Sequence, residues 1–447
     1  MYRLVIIIYT ATSQIVFNKI YQESKTIIDE EFHISQGLQY CNFNFTTWNP
    51  KITTLPGLYL ISSLILGPFN LCGTYGLRYI SFISGLVNFI IFSKTIHKLN
   101  PKFSRNKSWL SALNLSLLPP LYFFNNLYYT DVISLTFVLI MILASLENKH
   151  LFAALAGFVT ILIRQTNVIW VGFIFGRYFL NNYFHYCLKS KKVVKNELIT
   201  DRDVKHFSYN DFKNVFALKK LPVSVMVNSF YYVMLFLGFL AFLVINKGIV
   251  VGDKTAHVAV IHIPQLFYFA TFTLIFAWHH FLVLIPSFLN FACKRPICFF
   301  IAIIAMGLIV RYNTLVHPYL LADNRHYTFY IWSRFYEKIS LFRFAMIVPY
   351  LFGIYCMLFV STAQNDVTLT IFYVFCTTFV LILQKMIEVR YFLIPFVLFR
   401  LNIRNVTYKI IIFEFFYYVI INVVTLRIFF MKDIYWDDFD YVQKLIW

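Results

Sequence analysis

The chain has 447 residues, of which 60% are hydrophobic, 20% aromatic and only 13% charged. With a mean hydropathy of +0.68 and apolar runs repeatedly near the thickness of a bilayer, it is not a soluble globular enzyme. The formal charge of +19 is spread over short loops, as the positive-inside rule expects, which excludes a folded basic domain for nucleic acid. The expected architecture is an all-α polytopic membrane protein, with about twelve spans making a single embedded domain over 1–447.

In chain order, a first span is expected over 3–20, retained rather than cleaved because no small-residue cleavage site follows it. Residues 21–77 form a first loop. Within it, 55–71 reads as a membrane-dipping interfacial helix, given Pro56-Gly57 at its start and Gly67-Pro68 near its end. Spans are then expected at 78–96, 109–125, 131–147, 150–163, 167–185, 222–246, 264–289, 297–314, 341–360, 367–385 and 407–430. The basic stretches 94–107, 187–221 and Lys294-Arg295 are assigned to the cytosol. That choice sends 21–77, the turn before Asp131, the turn at Arg164, the loop around Asp323 and the segment at Glu388 to the opposite, luminal side.

Those luminal segments hold the charges that composition makes conspicuous. An ionisable group beside a bilayer core costs a few kcal/mol unless it faces a polar cavity. Asp29-Glu30-Glu31-Phe32-His33 offers clustered carboxylates, one of which can serve as a general base; the alternative is a solvated acidic loop at a helix start. Arg164-Gln165-Thr166-Asn167 joins two apolar arms by a tight turn. Its arginine suits a two-pronged grip on phosphate, or a snorkelling anchor. The run His317 to Tyr330 contains Asp323, Asn324, Arg325, His326 and Tyr327, a mixture suited to hydroxyls, phosphate and sugar rings. An Asp323–Arg325 salt bridge is the simpler explanation of its charges. Glu388-Val389-Arg390-Tyr391 places one more acid and arginine at a span end, where a buried ion pair is again the alternative.

Other features are read as structural. Seven cysteines, an odd number placed mostly in spans, give neither a disulfide framework nor zinc spacing and read as small apolar fillers. His279 and His280 point about 100° apart on a helix and are not expected to share a metal. No Gly-rich phosphate loop or dinucleotide fingerprint is present. No nucleotide cofactor is therefore expected, and a lipid-linked donor at the membrane surface fits better.

Taken in order, the patches resemble the ER dolichyl-phosphoglucose-dependent α-1,2-glucosyltransferases of lipid-linked N-glycan precursor assembly. The resemblance rests on Asp29 to His33, Trp48 to Tyr59, Leu127 to Asp131, Arg164 to Trp170, Val250 to Lys254, His317 to Tyr330 and Glu388 to Tyr391. The chain departs from the family pattern at Ile28, Glu31 and Val389. The resemblance implies a C-type glycosyltransferase fold in the ER membrane with a luminal cavity. Its donor would be dolichyl phosphate glucose, and its acceptor the diglucosylated oligosaccharide on dolichyl diphosphate. It implies transfer with inversion, the base being Asp29 with Glu30 and Asp131 as alternatives. Arg325, Arg390 and Arg164 would hold the donor phosphate. His33, Asp323, Asn324, His326, Tyr327, Gln165, Asn167 and Glu388 would contact sugar or acceptor. Two other readings remain: a non-catalytic transporter or channel regulator, and a mannosyltransferase of the same fold.

Overall fold

The computed structural model describes residues 2–190, 222–254, 260–363, 366–404, 406–437 and 439–447. The basic stretch expected at 187–221 lies almost wholly outside the described residues. The chain is helical nearly throughout. In order come α1 (Tyr2–Glu23), α2 (Glu30–Cys41), α3 (Gly57–Leu66), α4 (Thr74–Leu99), α5 (Arg105–Ser116), α6 (Pro119–Phe124), α7 (Thr130–Leu146), α8 (His150–Ile163) and α9 (Val168–Ser190). Longer helices follow at Val223–Asn246, Pro264–Lys294, Pro296–Asn313, Phe342–Thr362 and Tyr408–Met431, with Val367–Ile382 and Leu393–Leu401 between the last two. The only sheet among the described residues is an antiparallel pair, β1 (Asp433–Ile434) with β2 (Gln443–Lys444).

Seven of these helices are long and apolar enough to cross a bilayer. Their packing is inverted relative to a soluble bundle. Val223–Asn246 has a mean hydropathy of 2.0 over its most apolar stretch, yet 11% of that stretch is buried. Val223, Leu240 and Ile245 point outward, while Glu30, Arg78, Asp131, Arg400 and Glu414 are buried. Apolar surface of that extent is stable only against lipid, and the buried charges survive because each has a partner inside.

Sequence and structure differ where local chemistry breaks a run. The span expected at 109–125 is two helices, because Leu118 leaves the helical region (ψ 117°) ahead of Pro119 and Pro120, whose rings and missing N–H groups stop α5. The acidic patch after the first span is no loop: Asp29 precedes the first turn of α2. The apolar segment at 55–71 is a ten-residue helix with a 3₁₀ turn, too short to span. Gly57 sets its position, since a Cβ there would lie 2.5 Å from the backbone carbonyl carbon of Leu162. The start of α3 is thereby pressed against the end of α8.

Cys41 and Cys72 form a disulfide, with Cα atoms 6.1 Å apart. This corrects the reading of all cysteines as fillers: an odd total hid one pair in the same loop, while Cys356 and Cys376 are buried and free as expected. The bond joins the end of α2 to the residues before α4 across a separation of 31. In the chain-entropy picture such a closure contributes about 4 kcal/mol. Cys72→Ser should therefore lower the melting temperature of the detergent-solubilised protein. Unreduced wild-type protein should leave Cys41 and Cys72 unalkylated in peptide mass analysis; alkylation of both without reductant would refute the pairing.

Candidate active site

The site begins with the turn between α1 and α2. Ile28 has φ +53°, a left-handed conformation that costs a β-branched residue about 1–2 kcal/mol and persists only where its surroundings enforce it. Here they do. The Tyr129 hydroxyl donates to the Ile27 carbonyl at 2.8 Å. The Ile27 N–H donates to Glu30 Oε2 at 3.2 Å, and the Ile28 N–H to Gln443 Oε1 at 3.3 Å. The turn sets Asp29 against Arg390 and turns Glu30 the other way, toward Arg78.

Glu30 is the floor of this turn. Its carboxylate accepts from Arg78 Nε at 2.8 Å and Nη2 at 2.7 Å, and from the Tyr128 N–H at 2.8 Å. Both side chains of the ion pair are 0% exposed. The Arg78 guanidinium is saturated by the Ser24 carbonyl and hydroxyl and the Lys25 carbonyl. Every lone pair and proton of the pair is engaged, so Glu30 has no free edge for substrate. Arg78, at the edge of an expected span, carried no signal in the sequence beyond being a charge in an apolar run.

Asp29 faces a second group. Arg390 Nη2 lies 3.3 Å from Asp29 and 2.6 Å from Glu388, and its Nη1 lies 3.8 Å from Asp131. Arg164 holds Asp131 at 2.6 Å. The Arg390 guanidinium stacks over Tyr129 at 4.9 Å, and Arg164 lies near the ring of Tyr391 at 5.9 Å. Residues far apart in sequence thus meet because four elements end together: α1 into α2, the start of α7, the α8–α9 junction and the 3₁₀ turn Val389–Phe392. The α7–α8 turn is at the other end of the bundle, where Glu147 pairs with Lys149 and senses Lys98 and Lys94 of α4.

Exposure separates the three carboxylates. The side chains of Asp131 and Glu388 are 1% and 9% exposed, and that of Asp29 is 46% exposed. Asp29 is thus the most exposed of the three acids that Arg390 meets. Burial of the surrounding turn pushes Asp29 upward, but Arg390, with His33 and His326, outweighs it and holds the carboxyl below its usual range. His33 lies one turn further along α2, its Nδ1 2.6 Å from the Tyr59 hydroxyl. Burial pushes its imidazole down to about 4, opposed by Asp29 and reinforced by Arg390. It is therefore neutral at physiological pH.

The segment Asp323 to Tyr327 stands beside this cluster, linked to it through Gln443. Arg325 is gripped by Asp323 through Nε at 2.9 Å and Nη2 at 2.8 Å, and donates from Nη1 to Gln443 at 3.3 Å. Trp436 covers its face at 4.0 Å. Asn324 accepts from the Trp436 indole at 2.8 Å. His326 faces the Trp447 carbonyl at 3.3 Å, and the Tyr327 ring packs on Trp447 at 5.0 Å. The ion pair proposed as the simpler reading is present. Arg325 connects to the Asp29 turn through Gln443 rather than by direct contact.

Two residues expected to touch sugar donate their side-chain amides to neighbouring elements of the fold. Gln165 donates to the carbonyls of Thr53 and Ile249. It ties together the 50s loop and the segment at Gly252, whose φ of +72° and absent Cβ allow the Pro50 carbonyl to approach. The Asn167 amide donates to Ser134 and Thr160 inside the bundle.

A second polar centre lies deeper in the bundle. His279 and His280 both reach Glu414 Oε1, at 3.3 Å and 3.4 Å. They converge, despite their angular separation on the helix, because Glu414 comes from a neighbouring helix between them. Arg400 already grips Glu414 at 2.8 Å and 2.7 Å, and Asn114 donates at 2.8 Å. The carboxylate is charge-compensated and hydrogen-bonded, which is the form of a structural tie between helices.

The DIE2/ALG10 family model matches residues 23–401. The chain belongs to this family. A relative from Drosophila melanogaster, named Dol-P-Glc:Glc(2)Man(9)GlcNAc(2)-PP-Dol alpha-1,2-glucosyltransferase, is 38% identical over 433 residues, covering 96% of each chain. Relatives bearing the same name are 34% identical in Homo sapiens, covering 94% of this chain and 93% of the relative, and 30% identical in Arabidopsis thaliana, covering 94% of each. No solved structure matches the chain. Asp29, Asp131, Arg164, Glu388 and Arg390 all lie within the matched residues of this DIE2/ALG10 member.

Proposed function

We propose that the chain transfers glucose from dolichyl phosphate glucose to the diglucosylated oligosaccharide on dolichyl diphosphate, closing an α-1,2 linkage with inversion. The observation that carries this is the meeting of Asp29 with Arg390, Arg164, Asp131 and Glu388 at one end of an apolar bundle. That end suits a donor whose lipid stays in the membrane while its phosphate and sugar enter a polar hollow. Relatives over nearly the whole length bear the name of this activity.

In the proposed step, Asp29 accepts the proton of the acceptor hydroxyl as its oxygen bonds to the glucose anomeric carbon. The bond from that carbon to the phosphate oxygen breaks, and dolichyl phosphate leaves with the electron pair. Arg390 and Arg164 face the building phosphate charge, with Asp131 and Glu388 fixing their orientation. In-line placement of acceptor and leaving group contributes much of the rate. Arg325 is assigned a supporting part, since Asp323 and Gln443 occupy its forks. Glu30 is assigned the fold of the turn, and Gln165 and Asn167 the positions of the adjoining loops.

The basic stretches place the opposite end of the bundle in the cytosol by the positive-inside rule, so the pocket opens to the ER lumen in this reading. The sequon Asn44-Phe45-Thr46 then lies on the luminal side, and Thr46 and Phe45 are exposed. Protein from microsomes should carry a glycan at Asn44 that a peptide N-glycosidase removes and Asn44→Gln abolishes. A glycan on the Asn106-Lys107-Ser108 sequon in the first turn of α5 instead would invert the topology. The activity is tested with purified protein in liposomes, synthetic dolichyl phosphate glucose and defined acceptor. Addition of one hexose from this donor and none from dolichyl phosphate mannose is expected. Folded protein that transfers mannose, or nothing, would overturn the proposal.

A further inference from the structure

The strained turn at Ile28 depends on a segment more than 400 residues away. After the helix Tyr408–Met431 the chain forms β1 and β2, and residues 443–446 are almost wholly buried, from 0% exposed at Gln443 to 6% at Lys444. The strap lies along the Asp323 to Tyr327 segment. The Ile446 N–H donates to the Arg325 carbonyl at 2.8 Å and the Tyr327 N–H donates to the Ile446 carbonyl at 3.1 Å, a parallel bridge between His326 and Ile446. From that seat Gln443 reaches the Asp29 turn. Its Oε1 accepts from the Ile28 N–H and from Arg325 Nη1, both at 3.3 Å, while its Nε2 donates to the Thr26 carbonyl at 3.4 Å. The strap lies beyond residues 23–401, the extent of the family match.

We infer that Gln443 is a positioning residue for the transfer reaction, holding the left-handed backbone of Ile28 so that Asp29 faces Arg390. This deepens the proposed role of Asp29 and rests on it. The argument is geometric. Ile28 is β-branched and held at φ +53°, where such a residue does not stay unaided. Its N–H would be an orphan buried donor without the Gln443 amide oxygen. Release of that N–H lets the turn relax toward negative φ, which swings the next residue, Asp29, away from its arginine. The same oxygen accepts a hydrogen bond from Arg325 Nη1, so one side-chain amide sets the distance between the Asp29 turn and the Asp323 segment.

Gln443→Ala should lower kcat by about 10–100-fold, the scale of a displacement near 1 Å at a reacting group, with donor KM changed by less than about 3-fold. Two companions separate positioning from general damage. Gln443→Glu keeps the accepting oxygen for Ile28 and Arg325 and should retain most of kcat. Ile28→Gly, placed in the Gln443→Ala protein, accepts φ +53° without steric cost and should recover several-fold of the lost kcat. In an Asp29→Asn background, Gln443→Ala should add little further loss. The inference is overturned if Gln443→Ala keeps wild-type kcat, if Gln443→Glu falls as far as the alanine variant, or if Ile28→Gly gives no recovery. Should Asp29→Asn alone remain fully active, the base assignment fails, while the Gln443 and Ile28 comparison still reports whether the strap positions the turn.

Discussion

Asp29→Asn should reduce glucose transfer by about 10²–10⁴-fold, the range a positioned general base contributes, or about 3–5 kcal/mol of barrier. The substitution is nearly isosteric and removes the one carboxylate of the cluster that is half-open to a ligand, with its side chain 46% exposed. Protein yield, thermal stability and donor binding should stay near wild type, because Arg390 keeps Glu388 at 2.6 Å. The pH profile carries a second signature. The Asp29 carboxyl, held below its usual range chiefly by Arg390 against the effect of burial, stays a base as pH falls. His33, pushed down to about 4, stays neutral over the same window. The profile of kcat/KM should then show no inflection at the ordinary histidine value near 6.5, and its acid limb should fall below the ordinary aspartate range. If Asp29→Asn keeps normal turnover while Asp131→Asn loses it, the two acids exchange roles.

Arg78→Ala should be the most destabilising single change in the loop region. It strands Glu30, 0% exposed, with only the N–H groups of Ile27 and Tyr128 as partners. Breaking a buried pair in this way costs about 3–5 kcal/mol, a large share of the margin of a typical domain. Thermal melting of detergent-solubilised protein should show a loss well beyond that of Cys72→Ser, accompanied by loss of activity. Arg78→Met combined with Glu30→Gln removes both charges and should recover much of the stability. A single Arg78→Ala variant melting with wild type would show that the pair is not what holds the turn.

The parts of this molecule readable from sequence are those that hydropathy and charge encode. Long apolar runs mark Arg3–Glu23, Thr74–Leu99 and Tyr408–Met431 as candidate spans because lipid selects for length and apolarity together. Threading those runs by the basic loops brings Asp29, Asp131, Arg164 and Arg390 to one end of the bundle, and the structure joins them into one cluster. What sequence did not disclose are partners chosen by tertiary contact. Glu30 and Asp29 are adjacent and both acidic, yet the backbone at Ile28 turns one toward Arg78 and the other toward Arg390. Gln165 and Asn167 resemble ligand-binding amides, but their partners are backbone carbonyls and hydroxyls of neighbouring elements. Gln443 is one uncharged polar residue between Val442 and Lys444, and nothing local announces a reach to Thr26 and Ile28. The Cys41–Cys72 pair was masked by an odd cysteine total, although both lie in the first loop, 21–77, expected on the oxidising side.

The most direct test of the central claim is a structure of the membrane-embedded protein with a non-hydrolysable dolichyl phosphate glucose analogue and acceptor. The donor phosphate is expected in contact with Arg390 and Arg164, with an acceptor hydroxyl within hydrogen-bonding distance of Asp29 on the face opposite the leaving oxygen. A donor phosphate bound elsewhere, with Asp29 turned from both substrates, would contradict it.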